Sequence, residues 1–142
     1  MNVTQVSIFL QNKPGHLEKI LKILDDKGIN IITLTIAETT DFGVLRLISD
    51  LPEEAVAALK ENNVTCSITQ VLALALDDTP GALYQAVKSF SRCHLNIEYM
   101  YAFAEKRDGR ATMIFRFDDV EKARTVLLKE GFKVLSNQDI IK

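Results

Sequence analysis

Cysteine, histidine and tryptophan are scarce in this sequence of 142 residues, and their scarcity limits the chemistry it can carry. The chain has no tryptophan, two histidines and two cysteines. Cys66 and Cys93 are too few for a zinc quartet or a disulfide framework, so reduced thiols in a cytoplasm are expected. The sequence therefore predicts a cytoplasmic protein without a metal site.

Clustered positive charge and long apolar runs are also absent. The chain has 17 basic and 19 acidic residues, giving a formal net charge of −2, and the basic residues are scattered. Nucleic-acid-binding surfaces usually show a basic patch, so no nucleic-acid partner is predicted. The longest apolar run, Val71–Leu76, has the length of a strand, and the start MNVTQVSIF lacks the regions of a signal peptide. No membrane partner is expected.

Catalysis has few candidate residues. The two histidines, His16 and His94, have no histidine at the equivalent place in the repeat described below. Cys93 lies beside His94, but a nucleophile and its base must meet in space, which adjacency in sequence does not provide. No Ser-His-Asp set can be assigned. The sequence predicts no catalytic residue and no cofactor, so the protein is not expected to be an enzyme.

The sequence does contain an internal repeat. The segment NKPGHLEKILKILDDKGINI begins at Asn12, and DTPGALYQAVKSFSRCHLNI begins at Asp78. The Pro-Gly pairs of the two copies are 66 positions apart, and further on the offset becomes 68. The two extra residues are placed at a hairpin tip, where 38–43 faces 104–109, because loops absorb insertions at little cost. We predict two domains, residues 1–70 and 71–142.

Both copies have the same pattern of elements. The first copy reads as strand 3–10, helix from Pro14 to a Gly28 C-cap, hairpin strands 29–37 and 44–48, helix 52–61 and strand 65–69. In the second copy we expect Thr79 to cap the first helix, a capping box from Asp118 to Glu121, a helix over 120–129 and a last strand over 133–137. The order β-α-β-β-α-β predicts an α+β fold of two ferredoxin-like units with antiparallel sheets.

RNA binding is an alternative that this strand order allows. It requires aromatic side chains on the central strands of the sheet. The second copy has Tyr99, Tyr101, Phe103, Phe115 and Phe117 at alternating positions, whereas the first copy has no aromatic residues at the paired sites. Packing of these aromatic residues in a core is the favoured interpretation.

The Pro-Gly turn is the feature that points to a ligand. It joins the first strand to the first helix of each copy, where backbone N–H groups and the helix dipole favour an anion. Gly15 and Gly81 allow a ligand to approach the backbone closely. Asn12 and Asp78 precede the two turns and could contact the same ligand, or could simply cap the helix. The sequence leaves these two interpretations even.

At these residues the chain resembles the ACT domain family, which comprises small-molecule-sensing modules of amino-acid metabolism. The resemblance rests on 12-NKPGHL-17 with 28-GINI-31 and on 78-DTPGAL-83 with 95-LNI-97, and it covers essentially the whole chain as two tandem domains. It implies that a free amino acid binds at an interface between two such domains. The implied ligand-binding residues are Asn12, Pro14, Gly15, His16, Leu17, Asn30, Asp78, Pro80, Gly81, Ala82, Leu83 and Asn96.

The resemblance also implies partners. Family members commonly pair, so a homodimer is expected, and a chain without a catalytic domain could regulate a metabolic enzyme or act as a free-standing sensor. Through 28-GINIITLTI-36 the first copy also resembles the regulatory subunit of acetolactate synthase, so a regulatory subunit of a branched-chain biosynthetic enzyme is one alternative. Others are a small dimeric ferredoxin-like enzyme, with a buried polar cavity on its sheet face, and a purely structural interaction domain.

Overall fold

The order of strands and helices repeats within the chain. The computed structural model describes residues 2–38, 42–103 and 105–141. Its elements are β1 (Val3–Gln11), α1 (His16–Asp26), β2 (Ile31–Glu38), β3 (Phe42–Ser49), α2 (Pro52–Glu61), β4 (Cys66–Asp77), α3 (Ala82–Arg92), β5 (Ile97–Ala102), β6 (Arg110–Phe117), α4 (Val120–Lys129), β7 (Lys133–Leu135) and α5 (Asn137–Ile141). Two β-α-β-β-α-β units, which share β4, confirm the predicted fold class. The predicted insertion falls partly on residues 39–41 and 104, outside the described residues.

The chain divides into two compact units. The first unit is Thr4–Thr69, and the second is Gln70–Ile140 together with the first residues of the chain. We expected separate strands at 65–69 and 71–76, but β4 is one strand whose residues belong to both units. The assignment of residues 1–70 and 71–142 as separate domains stays a prediction.

In the first unit, strand β3 lies between β1 and β2 and is antiparallel to both. The start of β4 lies on the other side of β1, where the N–H of Phe9 donates to the carbonyl oxygen of Thr65 at 2.9 Å. Alternate residues of β1 and β3, including Ile8 and Leu45, pack with apolar residues of α1 and α2. Both helices therefore cover one face of the sheet, and the Pro-Gly turn lies at the edge where β1 ends.

In the second unit, β4 pairs with β6 and β7, and β6 pairs with β5, all antiparallel. Its core contains more aromatic residues than the core of the first unit. The Phe90 ring of α3 contacts Phe115 and Phe117 edge-on, with ring centroids 5.3 and 5.5 Å apart. All three rings are buried. The helices again cover one face of the sheet, so the two Pro-Gly turns have equivalent positions in their units.

The helix starts differ from the prediction. We expected helices to begin at the prolines, with Thr79 as a cap, but α1 and α3 begin at His16 and Ala82. Their N-cap residues are Gly15 and Gly81, which have no side chain with which to cap the helix. The Pro-Gly sequence forms a turn before each helix, which moves the start by two residues. The predicted C-cap is confirmed, since Gly28 has a φ of 68° after the end of α1.

Two further details of the second unit differ from the prediction. The cap of α4 is Asp119 rather than Asp118, since the Asp119 carboxylate accepts from the N–H of Lys122 at 3.1 Å. The last strand is shorter than predicted, and a short helix that the pattern did not predict, α5, follows it. At the start of α5, the Asp139 carboxylate accepts hydrogen bonds from the backbone and hydroxyl of Ser136.

The aromatic residues of β5 and β6 do not share one face of the sheet. A register shift between Ile97 and Tyr99 places Tyr99 opposite Arg116 and Tyr101 opposite Ile114. Because paired residues point to the same face, the two tyrosines lie on the face away from the helices. Phe115 and Phe117 lie in the core on the helix side. The single platform considered for RNA binding is therefore not formed. A β-bulge, which alternation in a sequence does not reveal, is the reason.

Candidate ligand-binding site

Both Pro-Gly sequences form the same tight turn. The N–H of His16 donates to the carbonyl oxygen of Lys13 at 3.5 Å, and that of Ala82 donates to Thr79 at 3.1 Å. The third residue of each turn is glycine, with φ of 90° at Gly15 and 86° at Gly81. These values match a type II turn, which needs a positive φ at that position. A Cβ built on either glycine would meet no atom within 4 Å, so the turns face open space.

Each turn presents N–H groups from the start of a helix. The first intrahelical bonds run from Lys19 to Gly15 and from Gln85 to Gly81, both at 3.0 Å. The two residues before each donor, 17–18 in α1 and 83–84 in α3, therefore have N–H groups with no acceptor within the helix. Such groups, with the helix dipole, can hold a carboxylate.

An open cavity lies at each turn. The cavity of the first unit has a volume of about 460 Å³ and is lined by Phe9, Gln11, Lys13, Pro14, Gly15, His16, Lys19, Phe42, Asn63, Val64 and Thr65. The cavity of the second unit has a volume of about 520 Å³ and is lined by Ala75, Leu76, Asp77, Thr79, Pro80, Gly81, Ala82, Gln85, Ala86, Arg110, Gly131, Phe132 and Lys133. Every lining position of the first cavity has its repeat equivalent in the lining of the second. We call them the first and second turn cavities.

Aromatic and basic side chains dominate the first turn cavity. The rings of Phe9 and Phe42 meet edge-on with centroids 5.3 Å apart, and each residue is 47% exposed. His16 is half-buried and its Nδ1 accepts from the backbone N–H of Gln11 at 2.8 Å, which ties the end of β1 to the start of α1. Lys13 also lines this cavity. An anion with an apolar body fits this combination.

Ion pairs surround the second turn. Arg110 Nε lies 3.5 Å from the Asp77 carboxylate. Asp78 forms an ion pair with Lys106. The Asp78 carboxylate is therefore already paired, and a ligand would have to compete with a lysine for it. Both pairs are exposed to solvent, where such pairs are weak and exchange is inexpensive.

The structure brings some of the predicted site residues to the cavities and leaves others outside. The lining residues among them are Pro14, Gly15 and His16 in the first cavity and Pro80, Gly81 and Ala82 in the second. Asn12, Asp78, Leu17 and Leu83 stand beside the turns without lining the cavities, and Leu17 packs against the core of its unit. The N-cap positions are Gly15 and Gly81 rather than Asn12 and Asp78, and the roles considered for these two side chains stay predictions.

Asn30 and Asn96 lie at the opposite end of their units from the turns. The N–H of Asn30 donates to the carboxylate of Asp50 at 2.9 Å, next to the pairing of Ile31 with Ser49. The Pro-Gly turn begins next to the pairing of Gln11 with Phe42, which is seven residues away along β3. At about 3.3 Å per residue, the two places are about 23 Å apart. One small ligand therefore cannot touch Asn30 and the turn of the same unit.

The sequence interpretation missed the cavity residues contributed by the sheet, in particular Phe9 and Phe42 in the first unit and Arg110 and Lys133 in the second. A signal was present, since the repeat offsets pair Phe9 with Ala75 and Phe42 with Arg110. Only the strand register shows that these positions face the turn.

A second polar cavity of about 710 Å³ lies on the sheet face of the second unit, and we call it the sheet cavity. The enzyme alternative predicted a cavity of this kind. One of the side chains that line it has structural partners: the Arg107 guanidinium donates to the backbone oxygens of Asp139 and Ile140, at 3.2 and 2.8 Å. The sheet cavity shares Ala75, Arg110 and Lys133 with the second turn cavity, so the two are neighbours.

Cys93 does not form a catalytic pair with His94. Its thiol donates instead to the Glu130 carboxylate at 3.2 Å, and the same carboxylate accepts from Arg92 at 2.9 Å. The hydrogen bond to Glu130 raises the pKa of the Cys93 thiol, which lowers the thiolate fraction at neutral pH. A nucleophilic cysteine needs the opposite shift.

The fold and the two equivalent cavities define a paired ferredoxin-like module whose open sites suit small ligands. A family model described as an ACT domain pair matches residues 1–142. The chain belongs to the ACT domain pair family. This membership supports a regulatory, ligand-binding role rather than a catalytic one. In the part of the chain that the structure describes, no helix has the length and hydropathy to span a bilayer.

Solved structures share the architecture. Protein BT0572 from Bacteroides thetaiotaomicron is 37% identical, with 100% of this chain and 97% of that chain covered and a TM-score of 0.93. The ligand-free regulatory subunit of aspartate kinase from Thermus thermophilus has a TM-score of 0.64 at 16% identity, with 90% of each chain covered. At that identity the second similarity shows the fold alone. No curated protein has significant similarity to the chain.

Proposed function

We propose that this protein is a non-catalytic sensor that binds a free amino acid at its Pro-Gly turns. The observation that carries the proposal is the repetition of one cavity at equivalent positions of both units. In each cavity the ligand carboxylate accepts hydrogen bonds from backbone N–H groups of the first helical turn. A carboxylate held by backbone groups is common to all amino acids, so the walls of the cavity must provide selectivity.

The proposed binding residues are those in and next to the turns. Each would contact the ligand through its backbone or its side chain. They are Asn12, Pro14, Gly15, His16 and Leu17 in the first unit and Asp78, Pro80, Gly81, Ala82 and Leu83 in the second. For Asn30 and Asn96 we propose contact only with a ligand held at the turn of another unit, since the distance within one unit is too long.

Ligand binding regulates by stabilising one arrangement of the protein. A ligand that binds the folded protein and not the unfolded chain adds a stabilisation of RT ln(1 + [L]/Kd). If it binds one packing of the protein more tightly, it shifts the population toward that packing. We propose that a cytoplasmic metabolic enzyme or regulator responds to this shift.

We also propose that the protein forms a homodimer. Among the described strands β2 pairs with β3 alone, and its Leu34 and Ile36 are exposed large apolar residues. An open strand edge with apolar side chains favours pairing with a second chain. Light scattering coupled to size exclusion tests this: a mass near twice 15.9 kDa is expected, and a monomer at micromolar concentration would contradict it.

A thermal-shift screen against the twenty amino acids tests the sensor. A binding amino acid should raise the melting temperature in a concentration-dependent way. The matched ligand control is the amide of the same amino acid, which lacks the carboxylate and should give no shift. Failure of every amino acid to shift the transition would overturn the proposal.

Protein variants then locate the binding. Lys13→Ala removes a cation from the first cavity, and Thr79→Ala changes the equivalent position of the second. Glu53→Ala, an exposed residue at the start of α2, is the control for an unrelated surface change. Lys13→Ala should weaken the response to amino acids bound in the first cavity. An equal loss of the melting-temperature shift with Glu53→Ala would show that the site does not lie at the turns.

A further inference from the structure

The two turn cavities have the same backbone and opposite walls. The strand register shows that the wall residues of the two cavities occupy equivalent positions. Phe9 pairs with Val44 in the first unit, and Ala75 pairs with Thr112 in the second. Two residues further along β1 and β4, next to the turns, Gln11 pairs with Phe42 and Asp77 pairs with Arg110.

Three wall positions change character between the units. An aromatic pair in the first unit is replaced by alanine and arginine in the second, and Thr65, beside Phe9, is replaced by Lys133, which pairs with Ala75. The same frame therefore presents an apolar wall once and a basic wall once.

We propose that the two cavities select different amino acids, the first one with an apolar side chain and the second one with an acidic side chain. This inference rests on the proposed function, because it assumes that both cavities hold the ligand carboxylate at the turn. The inference adds that the protein senses two classes of amino acid at once, through equivalent sites in the two copies of the repeat.

The wall of the first cavity suits an apolar side chain. The Phe9 and Phe42 rings are in mutual contact, yet each leaves about half of its surface uncovered. Covering aromatic surface with an apolar group is favourable, and rings also contact other rings well at their edges. The cations of this cavity, Lys13 and Lys19, stand at the turn and on α1, on the side where the ligand carboxylate binds.

The wall of the second cavity suits an acidic side chain. Arg110 and Lys133 project from neighbouring positions of the sheet, with only Asp77 as a charge of opposite sign in the lining. The contact between Arg110 and Asp77 measures 3.5 Å and is exposed to solvent, so a ligand carboxylate can compete for the guanidinium. Guanidinium groups bind carboxylates with two parallel hydrogen bonds, which gives the site geometry as well as charge.

The test uses isothermal titration calorimetry on the full chain with phenylalanine, leucine, glutamate and aspartate. One apolar and one acidic amino acid should bind independently, so saturation with one leaves the affinity for the other unchanged. Phe42→Ala should weaken apolar ligands about tenfold and leave acidic ligands unchanged. Arg110→Ala should do the reverse. Phe42 is 47% exposed and the Arg110 side chain is 44% exposed, so both variants are expected to fold, and circular dichroism with a melting curve checks this.

Exchanged walls provide a second and sharper test. Phe9→Ala with Phe42→Arg gives the first cavity the second wall, and Ala75→Phe with Arg110→Phe gives the reverse. The first pair should abolish apolar binding and create a second acidic site. Affinities that do not follow the walls, or competition between the two ligand classes for one site, would overturn the selectivity inference while leaving the sensor intact. If none of the twenty amino acids binds the unmodified chain, the proposed function itself fails.

Discussion

The backbone N–H of Gln11 donates to Nδ1 of His16 at 2.8 Å, and so the last residue of β1 is joined to the first residue of α1. The second unit makes the same Pro-Gly turn with Ala82 in place of the histidine. The bond therefore adds to a turn that forms without it. Because Nδ1 accepts this bond, the neutral ring carries its proton on Nε2, which is the nitrogen left for a ligand.

Replacing His16 with alanine tests how much that hydrogen bond contributes to the free energy of unfolding. We expect His16→Ala to lower the free energy of unfolding by about 0.5–1.5 kcal/mol, since a typical hydrogen bond contributes that much. The lower end applies because solvent can reach the Gln11 N–H. Urea denaturation measures the change, and hydrogen exchange at Gln11 should speed up. Unchanged exchange would show that the bond does not persist in solution.

The glycine of the turn should tolerate asparagine better than alanine. Gly15 has a φ of 90° and open space where a Cβ would stand. The cost of Gly15→Ala is therefore backbone strain alone, about 1–2 kcal/mol. Gly15→Asn should cost less, because asparagine enters positive φ more readily. The same order is expected at Gly81, and unfolding midpoints in urea decide it. A larger loss with asparagine would indicate a steric contact that the structure does not show.

Adjacent aspartates before α4 provide a matched pair of variants. Asp119 caps the helix by accepting from Lys122, whereas among the described residues Asp118 accepts only from the N–H of Asp119. Asp119→Ala should cost about 1 kcal/mol of unfolding free energy, as loss of an N-cap usually does. Asp118→Ala should cost clearly less. Thermal and urea unfolding of both variants provide the measurement, and equal losses would contradict the assignment of the cap.

The thiol of Cys93 should become more reactive when Glu130 loses its charge. The Glu130 carboxylate accepts from the thiol and raises its pKa. Glu130→Gln removes that charge, so the thiol pKa should fall and the thiolate fraction at pH 8 should rise. We expect alkylation of Cys93 by iodoacetamide to become a few-fold faster, since the thiolate is the reacting form.

Cys66 is the internal control for this experiment. Burial is the main cause that raises the pKa of its thiol, and Glu130 takes no part in it. Mass spectrometry of each cysteine peptide over a range of pH follows both rates in one sample. A faster reaction at Cys66 as well would indicate general loosening of the fold instead of a local effect.

The repeat predicted most of the fold. The Gly28 C-cap and the bounds of α2 and α4 are confirmed, because local patterns and propensities determine them. The starts of α1 and α3 and the N-cap of α4 differ from the predicted residues by one or two positions. At helix ends, the turn that precedes the helix determines where the helix begins. The merged strand β4 was missed because the local pattern allows a break near residue 70, whereas the structure has one strand from Cys66 to Asp77.

The candidate site was predicted in part. The turn residues were identified because proline, glycine and the following helix are neighbours in sequence. Arg110 and Phe42 were not, because each is distant in sequence from the turn that it faces. Likewise the tyrosines of β5 could not be placed, since a bulge changes which face of the sheet a residue occupies.

By itself the sequence determined two copies of one unit, a Pro-Gly turn at the mouth of a helix in each, and the ACT resemblance that these features carry. These follow from local preferences and from spacing along the chain. Only the tertiary structure decided what surrounds each turn: an aromatic pair in one unit, and arginine with lysine in the other. The physical reason is that strand register, which depends on contacts between distant residues, chooses the side chains that meet at the end of β1 and β4.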